Sequence, residues 1–167
     1  MSRGFVKEDD QEEIPMVPPR ADLPDGVTNY VTQNGLHQLL EEKKALQIEK
    51  EQLSPENEKE RRIALNLINA KLQLLNERIS NAKVVDVQEQ PKEEVRFGAL
   101  VSVRIGNAKL TQEYQIVGVD EADIAKQKIS FLSPIARLLI SKRVGDTAIL
   151  KLAKEERTFK IEGIRYE

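Results

Sequence analysis

Two stretches of helical periodicity, separated by the break Leu53-Ser54-Pro55-Glu56, constrain this chain more than any other feature. In the first, Leu36, Leu39, Leu46 and Leu53 fall at spacings of three and seven, a one-sided seam. Lys43 and Lys50 occupy the seam positions between them and weaken the stripe. Thr32 or Asn34 precedes it and supplies a side-chain oxygen for an N-cap. At the break, Ser54 is expected to cap a second helix with Pro55 in its first position, where the missing N–H costs nothing. That helix is expected to run to about Ala82. It carries two adjacent apolar lines, Ile63-Leu67-Ala70-Leu74 and Ile68-Leu72-Leu75-Ile79. Two helices joined by so short a turn lie antiparallel, so residues 31–83 are predicted to form a coiled-coil hairpin. Leu67 and Leu74 are expected to face the first helix.

Residues 1–30 lack this periodicity. An acidic run (Glu8, Asp9, Asp10, Glu12, Glu13) is followed by Pro15, Pro18, Pro19 and Pro24, so the stretch reads as an extended arm. Ile14, Met16 and Val17 are its candidates for contact with another surface. Residues 84–94 read as a linker, in which Val84, Val85 and Val87 suggest a short strand before a polar run. From Val95 to Glu167 the period changes to two. Residues 99–105 and 113–119 alternate as strands around a Gly106-Asn107 turn, and residues 128–132 form another strand. Ser133-Pro134 is expected to cap a short helix reaching Ser141, and residues 148–152 and 157–164 make a closing pair of strands. The whole is α+β: a helical hairpin followed by a small, mostly antiparallel sheet with one helix.

Composition removes most functional classes. There is no cysteine, hence no disulfide, Cys-based zinc site or thiol nucleophile. The only histidine, His37, falls on the charged face of the first helix with no partner for a metal site. There is no Gly-rich phosphate loop, GxSxG elbow or HExxH pair. Aromatic residues are 4% of the chain, too few for a base-stacking platform, and a net charge of -2 gives no global attraction to nucleic acid. No apolar run approaches the ~20 residues of a membrane span, and the acidic start is unlike a signal peptide. A cytoplasmic, non-enzymatic protein is therefore expected. The feature with most chemical promise is the hairpin tip. There Glu49, Glu51, Glu56, Glu58 and Glu60 mix with Lys50, Lys59, Arg61 and Arg62. Such carboxylates could complete a Mg²⁺ site on another protein, or simply solvate the helix ends and favour the helix dipole.

The second unit carries a more specific signal. Val95-Arg96-Phe97-Gly98-Ala99, the run from Tyr114 to Ala122, and the run from Ile129 to Leu139 followed by Lys142-Arg143-Val144-Gly145-Asp146 resemble the C-terminal domain of the GreA/GreB family. Ser80-Asn81-Ala82-Lys83-Val84-Val85-Asp86 resembles its interdomain junction, and residues 32–42 resemble the start of its first helix. The resemblance covers about residues 30–167. It implies an FKBP-like C-terminal domain (95–167) that grips the rim of the secondary channel of bacterial RNA polymerase. Leu132, Ser133, Pro134, Ile135 and Arg137 would form the gripping surface. The coiled coil would enter the channel, and acidic tip residues would help the polymerase hold a shared Mg²⁺ while it hydrolyses backtracked RNA. No cofactor would be held by this chain alone, DNA and RNA would be met only through the elongation complex, and the factor would act as a monomer.

The sequence departs from that pattern in three places. The family tip usually reads Gly-Asp-Leu-Lys-Glu-Asn. Here Gln52-Leu53-Ser54-Pro55-Glu56-Asn57 matches the Glu-Asn but offers Glu51 as the nearest acid in place of the Asp. The first helix is shorter by roughly a dozen residues, or ~18 Å. Leu132 replaces the acid or amide that often precedes the family's Ser-Pro. The tip acids are thus Glu51, Glu56 and Glu58. The expected function is modulation of elongation or of transcript cleavage, with a non-cleaving channel plug as the alternative. A prolyl isomerase would need an aromatic-lined pocket, and Phe97, Tyr114, Phe131, Phe159 and Tyr166 are scattered along the sequence.

Overall fold

The computed structural model describes residues 16–54 and 56–167. The acidic run, Ile14 and Pro55 therefore lie outside the described residues. The chain enters through strand β1 (Asn29–Val31) and turns up helix α1 (Gln33–Glu51). Thr32 is the N-cap, its hydroxyl accepting from the Gly35 N–H at 2.9 Å. Helix α2 (Glu58–Asn81) returns antiparallel and leads into β2 (Ala82–Val84). The expected start of α2 needs correction. Asn57, not Ser54, is the cap: its side-chain oxygen accepts from the Lys59 and Glu60 N–H groups at 3.1 and 3.2 Å. Ser54 instead accepts from the Glu56 N–H at 3.3 Å within the turn. An Asx cap satisfies two N–H groups of the first turn together, whereas the Ser54 hydroxyl takes one N–H outside the helix.

The seam consists of Leu39, Leu46, Ile68 and Leu75, with Leu53, Leu72 and Ile79 packed against it. Thus the Ile68 line of α2 faces α1, and the Leu67 line does not. Leu67 and Leu74 are half-buried, and Ile63 is 57% exposed. The second line is still used near the root, where Leu74 lines a cleft beneath the arm. β1 and β2 pair in parallel, Asn29 with Ala82 through Val31 with Val84, so the hairpin is closed at its base by a two-stranded sheet. These strands span the expected domain boundaries at residues 30 and 83. Val87 is not in a strand. It begins a single helical turn, Val87–Glu89, capped by the Asp86 carboxylate.

The second unit is a five-stranded sheet in the order β5-β4-β3-β7-β6. Its strands are β3 (Leu100–Ile105), β4 (Gln112–Val117), β5 (Lys128–Ser130), β6 (Thr147–Lys151) and β7 (Glu156–Arg165). All neighbours are antiparallel except β4 and β5. The alternation read from the sequence sends Val101, Val103, Phe159 and Ile161 into the core, where Ala136 and Leu139 of helix α3 (Pro134–Leu139) join them. Helix α3 is capped by Ser133, whose hydroxyl accepts from the Ala136 N–H at 3.3 Å. It ends two residues before the expected Ser141, which adopts a left-handed conformation (φ 73°). Tyr166 ties the C-terminus back to the start of the unit. Its hydroxyl donates to the Glu94 carbonyl at 2.6 Å and accepts from the Arg96 N–H at 2.8 Å, while burial pushes its pKa above the usual phenol value. The architecture is mixed α+β, as the periodicities require. Among the described residues no helix is long and apolar enough to cross a membrane.

Candidate functional site

Three places bear on function: the root where the hairpin meets the sheet, the tip, and the face around α3. The root is the most densely bonded. The loop after β4 carries adjacent acids, Asp120 and Glu121. The Glu121 carboxylate is buried (side chain 2% exposed) at the N-terminus of α1. It accepts from the Thr32 hydroxyl, from the Asn34 amide at 3.0 Å, and from Lys128 Nζ at 3.3 Å. The partial positive charge of a helix N-terminus and an ammonium group together offset the cost of desolvating that carboxylate. Gly35 allows this approach, since a Cβ there would lie 2.8 Å from Glu121 Oε1.

Asp120 serves the other helix. One oxygen accepts from Arg78 Nη1 at 3.3 Å, near the end of α2, and the other from Arg20 Nε at 3.0 Å in the arm. Asn29 of β1 donates to the Arg78 carbonyl and to the Asn81 side chain at 3.1 and 2.9 Å. Apolar contact completes the root. Tyr30 packs against Phe97 and Phe131 at ring-centroid distances of 6.0 and 5.8 Å, and those two rings meet edge to face at 5.6 Å. Of the aromatic residues scattered along the second unit, Phe97 and Phe131 are gathered here around Tyr30 of β1. Gly118 permits it: a Cβ would lie 2.4 Å from the Tyr30 carbonyl oxygen.

None of these root residues was singled out as functional from sequence. Thr32 and Glu121 are 89 positions apart, a separation no periodicity reports. The available signal was two acids directly after the apolar run Ile116-Val117-Gly118-Val119, where a strand end buries its neighbours.

The tip is the opposite. Glu51 ends α1, Glu56 lies in the turn, Glu58 begins α2, and all three are exposed. The Asn57 amide oxygen is occupied by capping. Among the described residues no cluster of three or more His, Cys, Asp or Glu side chains could hold a metal ion. Mg²⁺ takes oxygen ligands at about 2.1 Å in near-octahedral array. Exposed carboxylates distributed over two helix ends and the turn between them do not fit a resident ion.

Around α3, Pro134 and Arg137 are exposed, while Leu132, Ser133 and Ile135 are half-buried. Ser133, Pro134 and Ile135 line a cleft of about 840 Å³ together with Ile124, Leu152, Lys128 and Lys151. The lining is mostly apolar. Ile124 is 87% exposed, the profile of a surface suited to another protein. Leu132, just before the helix cap, donates its N–H to Ser130 Oγ at 3.1 Å.

A model of the family "Transcription elongation factor, GreA/GreB, C-term" matches residues 90–166, which takes in the whole sheet, α3 and the acid pair. The transcription elongation factor GreA of Halorhodospira halophila is 43% identical over 105 residues, covering 61% of this chain and 65% of the relative. GreA of Francisella philomiragia is 41% identical over 102 residues, covering 60% and 64%. The matched segment thus spans a little under two thirds of the length of these curated relatives. Among solved structures, the crystal structure of GreA factor homolog 1 (Gfh1) of Thermus thermophilus is 21% identical, with a TM-score of 0.39 and coverage of 83% of this chain and 99% of that one.

Proposed function

We propose, from the premise that residues 90–166 belong to the GreA/GreB C-terminal domain family, that this chain binds bacterial RNA polymerase at its secondary channel and modulates elongation as a non-cleaving plug. The C-terminal unit is the grip, with Leu132, Ser133, Pro134, Ile135 and Arg137 at its contact surface. The hairpin is the part that enters the channel. The observation that carries this reading is the joining of the two parts. A domain of a transcription-factor family holds the N-terminus of α1 on a buried carboxylate, and so anchors the root of a charged hairpin.

The tip chemistry supports a plug over a cleavage factor. Phosphodiester cleavage by two metals needs ligands that hold the second ion in place. Glu51, Glu56 and Glu58 are exposed glutamates beside Lys and Arg side chains, and each loses more rotamer freedom than an Asp on being fixed. The chain would then act by occupying space and by competing with other factors for the channel, without chemistry of its own.

The test is a stalled, backtracked elongation complex incubated with the purified protein at several Mg²⁺ concentrations, with binding measured in the same sample. The expected result is binding without release of RNA 3′ fragments, and weaker binding for Arg137→Glu. Strong release that disappears in Glu56→Ala would overturn the plug and make Glu56 a metal-holding residue. Unchanged binding by folded Pro134→Ala and Arg137→Glu would move the grip elsewhere.

A further inference from the structure

The arm crosses the seam between the two units. Val17, Pro18 and Pro19 share the lining of a cleft of about 410 Å³ with Leu46 and Leu74 of the hairpin and Val119 and Ala122 of the sheet unit. Arg20 then joins all three parts with one guanidinium plane. Its two terminal nitrogens donate to both oxygens of Glu42 on α1, at 2.8 and 3.1 Å, and its Nε donates to Asp120 at 3.0 Å. The hydrogen bonds to Glu42, with the negative charge of Asp120, hold the Arg20 pKa above its usual value despite partial burial. Arg78 of α2 extends the arrangement by donating from Nη2 to the Ala21 carbonyl of the arm, while its Nη1 donates to Asp120.

Geometry gives this bridge a consequence the root alone does not have. Glu121 at Thr32, Asp120 at Arg78 and the rings around Tyr30 all grip the hairpin at its root, so they act on its tilt only through a short lever. Glu42 lies ten residues further along the helix, which is about 15 Å at 1.5 Å per residue. A second attachment at that distance determines the angle. A rigid bidentate fork suits the task better than a flexible ammonium would. Pro18 and Pro19 also limit the freedom the arm loses on lying down.

We propose that residues 17–22 form a strap that sets the angle of the hairpin on the C-terminal unit, with Arg20 as its positioning residue. This does not depend on the polymerase reading, because the angle is a property of the free protein.

The absence of cysteine makes the test clean. Gln52→Cys at the tip and Lys154→Cys in the β6–β7 turn, both exposed, accept two spin labels in the full chain. Electron–electron double resonance then reads the tip-to-sheet distance distribution. The expected result is one narrow distribution that at least doubles in width in Arg20→Ala. It should widen also in Glu42→Gln, a change on an exposed helix face that leaves the fold in place, and partly recover in Arg20→Lys. Arg104→Ala, which breaks an ion pair with Glu162 on the sheet surface, should leave the width unchanged. An unaltered width in both Arg20→Ala and Glu42→Gln, with far-UV circular dichroism intact, would overturn the strap.

Discussion

At its root the hairpin is held by buried polar groups that are hydrogen-bonded, save the side-chain oxygen of Asn29. At its tip the Asn57 cap, the Ser54 hydroxyl and the half-buried Leu53 hold the turn, and Glu51, Glu56 and Glu58 are exposed. Apolar burial is deepest in the middle of the seam: Leu75 and Leu39 are 0% and 2% exposed and Ile68 and Leu46 2% and 9%, while Leu36 and Ile79 toward the root and Leu53 toward the tip are half-buried. Polar chemistry separates the two ends. Asp120 and Glu121 face Arg20, Arg78 and Lys128 inside the root, whereas the tip glutamates face water. Polar anchorage and exposed charge thus lie at opposite ends of one element. Substitutions should lose structural effect toward the tip, and that expectation can be broken.

The largest effect is expected for Leu75→Ala, which empties a fully buried site and should cost about 4 kcal/mol in a urea titration. Leu67→Ala, one line over on the same helix, should cost about 1 kcal/mol, in keeping with its half-exposed position. Equal losses would show that both lines of α2 are packed alike. Next comes Glu121→Ala. It strips the Thr32 hydroxyl, the Asn34 amide and Lys128 of a shared acceptor and should cost about 3 kcal/mol, read as a fall in Tm. A loss under about 1 kcal/mol would mean that the hairpin stands without its root.

Which end of the chain's logic is visible in sequence follows from the range of the interactions. The Leu36-Leu39-Leu46 repeat, the break near Ser54 and the alternation of residues 100–105 are local patterns, and each produces the element it implies. Thr32 and Ser133 cap where they stand because capping reaches only three residues. Two local choices were not decided by local signals. α2 carries two equivalent apolar lines, and only the position of α1 selects the Ile68 line. Either Ser54 or Asn57 offers a cap oxygen, and the geometry of the turn selects Asn57. The root and the strap were illegible for a stronger reason. Arg20 and Asp120 are 100 positions apart, and nothing in an arm of acids and prolines states which distant carboxylate it will meet.

Smaller effects sharpen the tip side of the comparison. Asn57→Ala removes the acceptor of two N–H groups and should cost about 1 kcal/mol, while Ser54→Ala should stay within about 0.5 kcal/mol. A reversal of that order in thermal melts would return the cap to Ser54. Smallest of all, Glu56→Ala should change stability by less than about 0.5 kcal/mol. Any consequence it has in the presence of polymerase would then belong to contact, since it cannot come from the fold.

The parallel pairing of β1 with β2 makes Val31 and Val84 neighbours although the whole hairpin lies between them. The excursion begins and ends at one spot on the sheet unit, like a loop of thread through a single eyelet. Seven residues added to each helix would move the tip outward by about 10 Å and return the seam to the same phase. The strands, Thr32 and the acid pair would stay where they are. Reach can therefore be altered by matched insertions or deletions in the two helices without touching the anchorage.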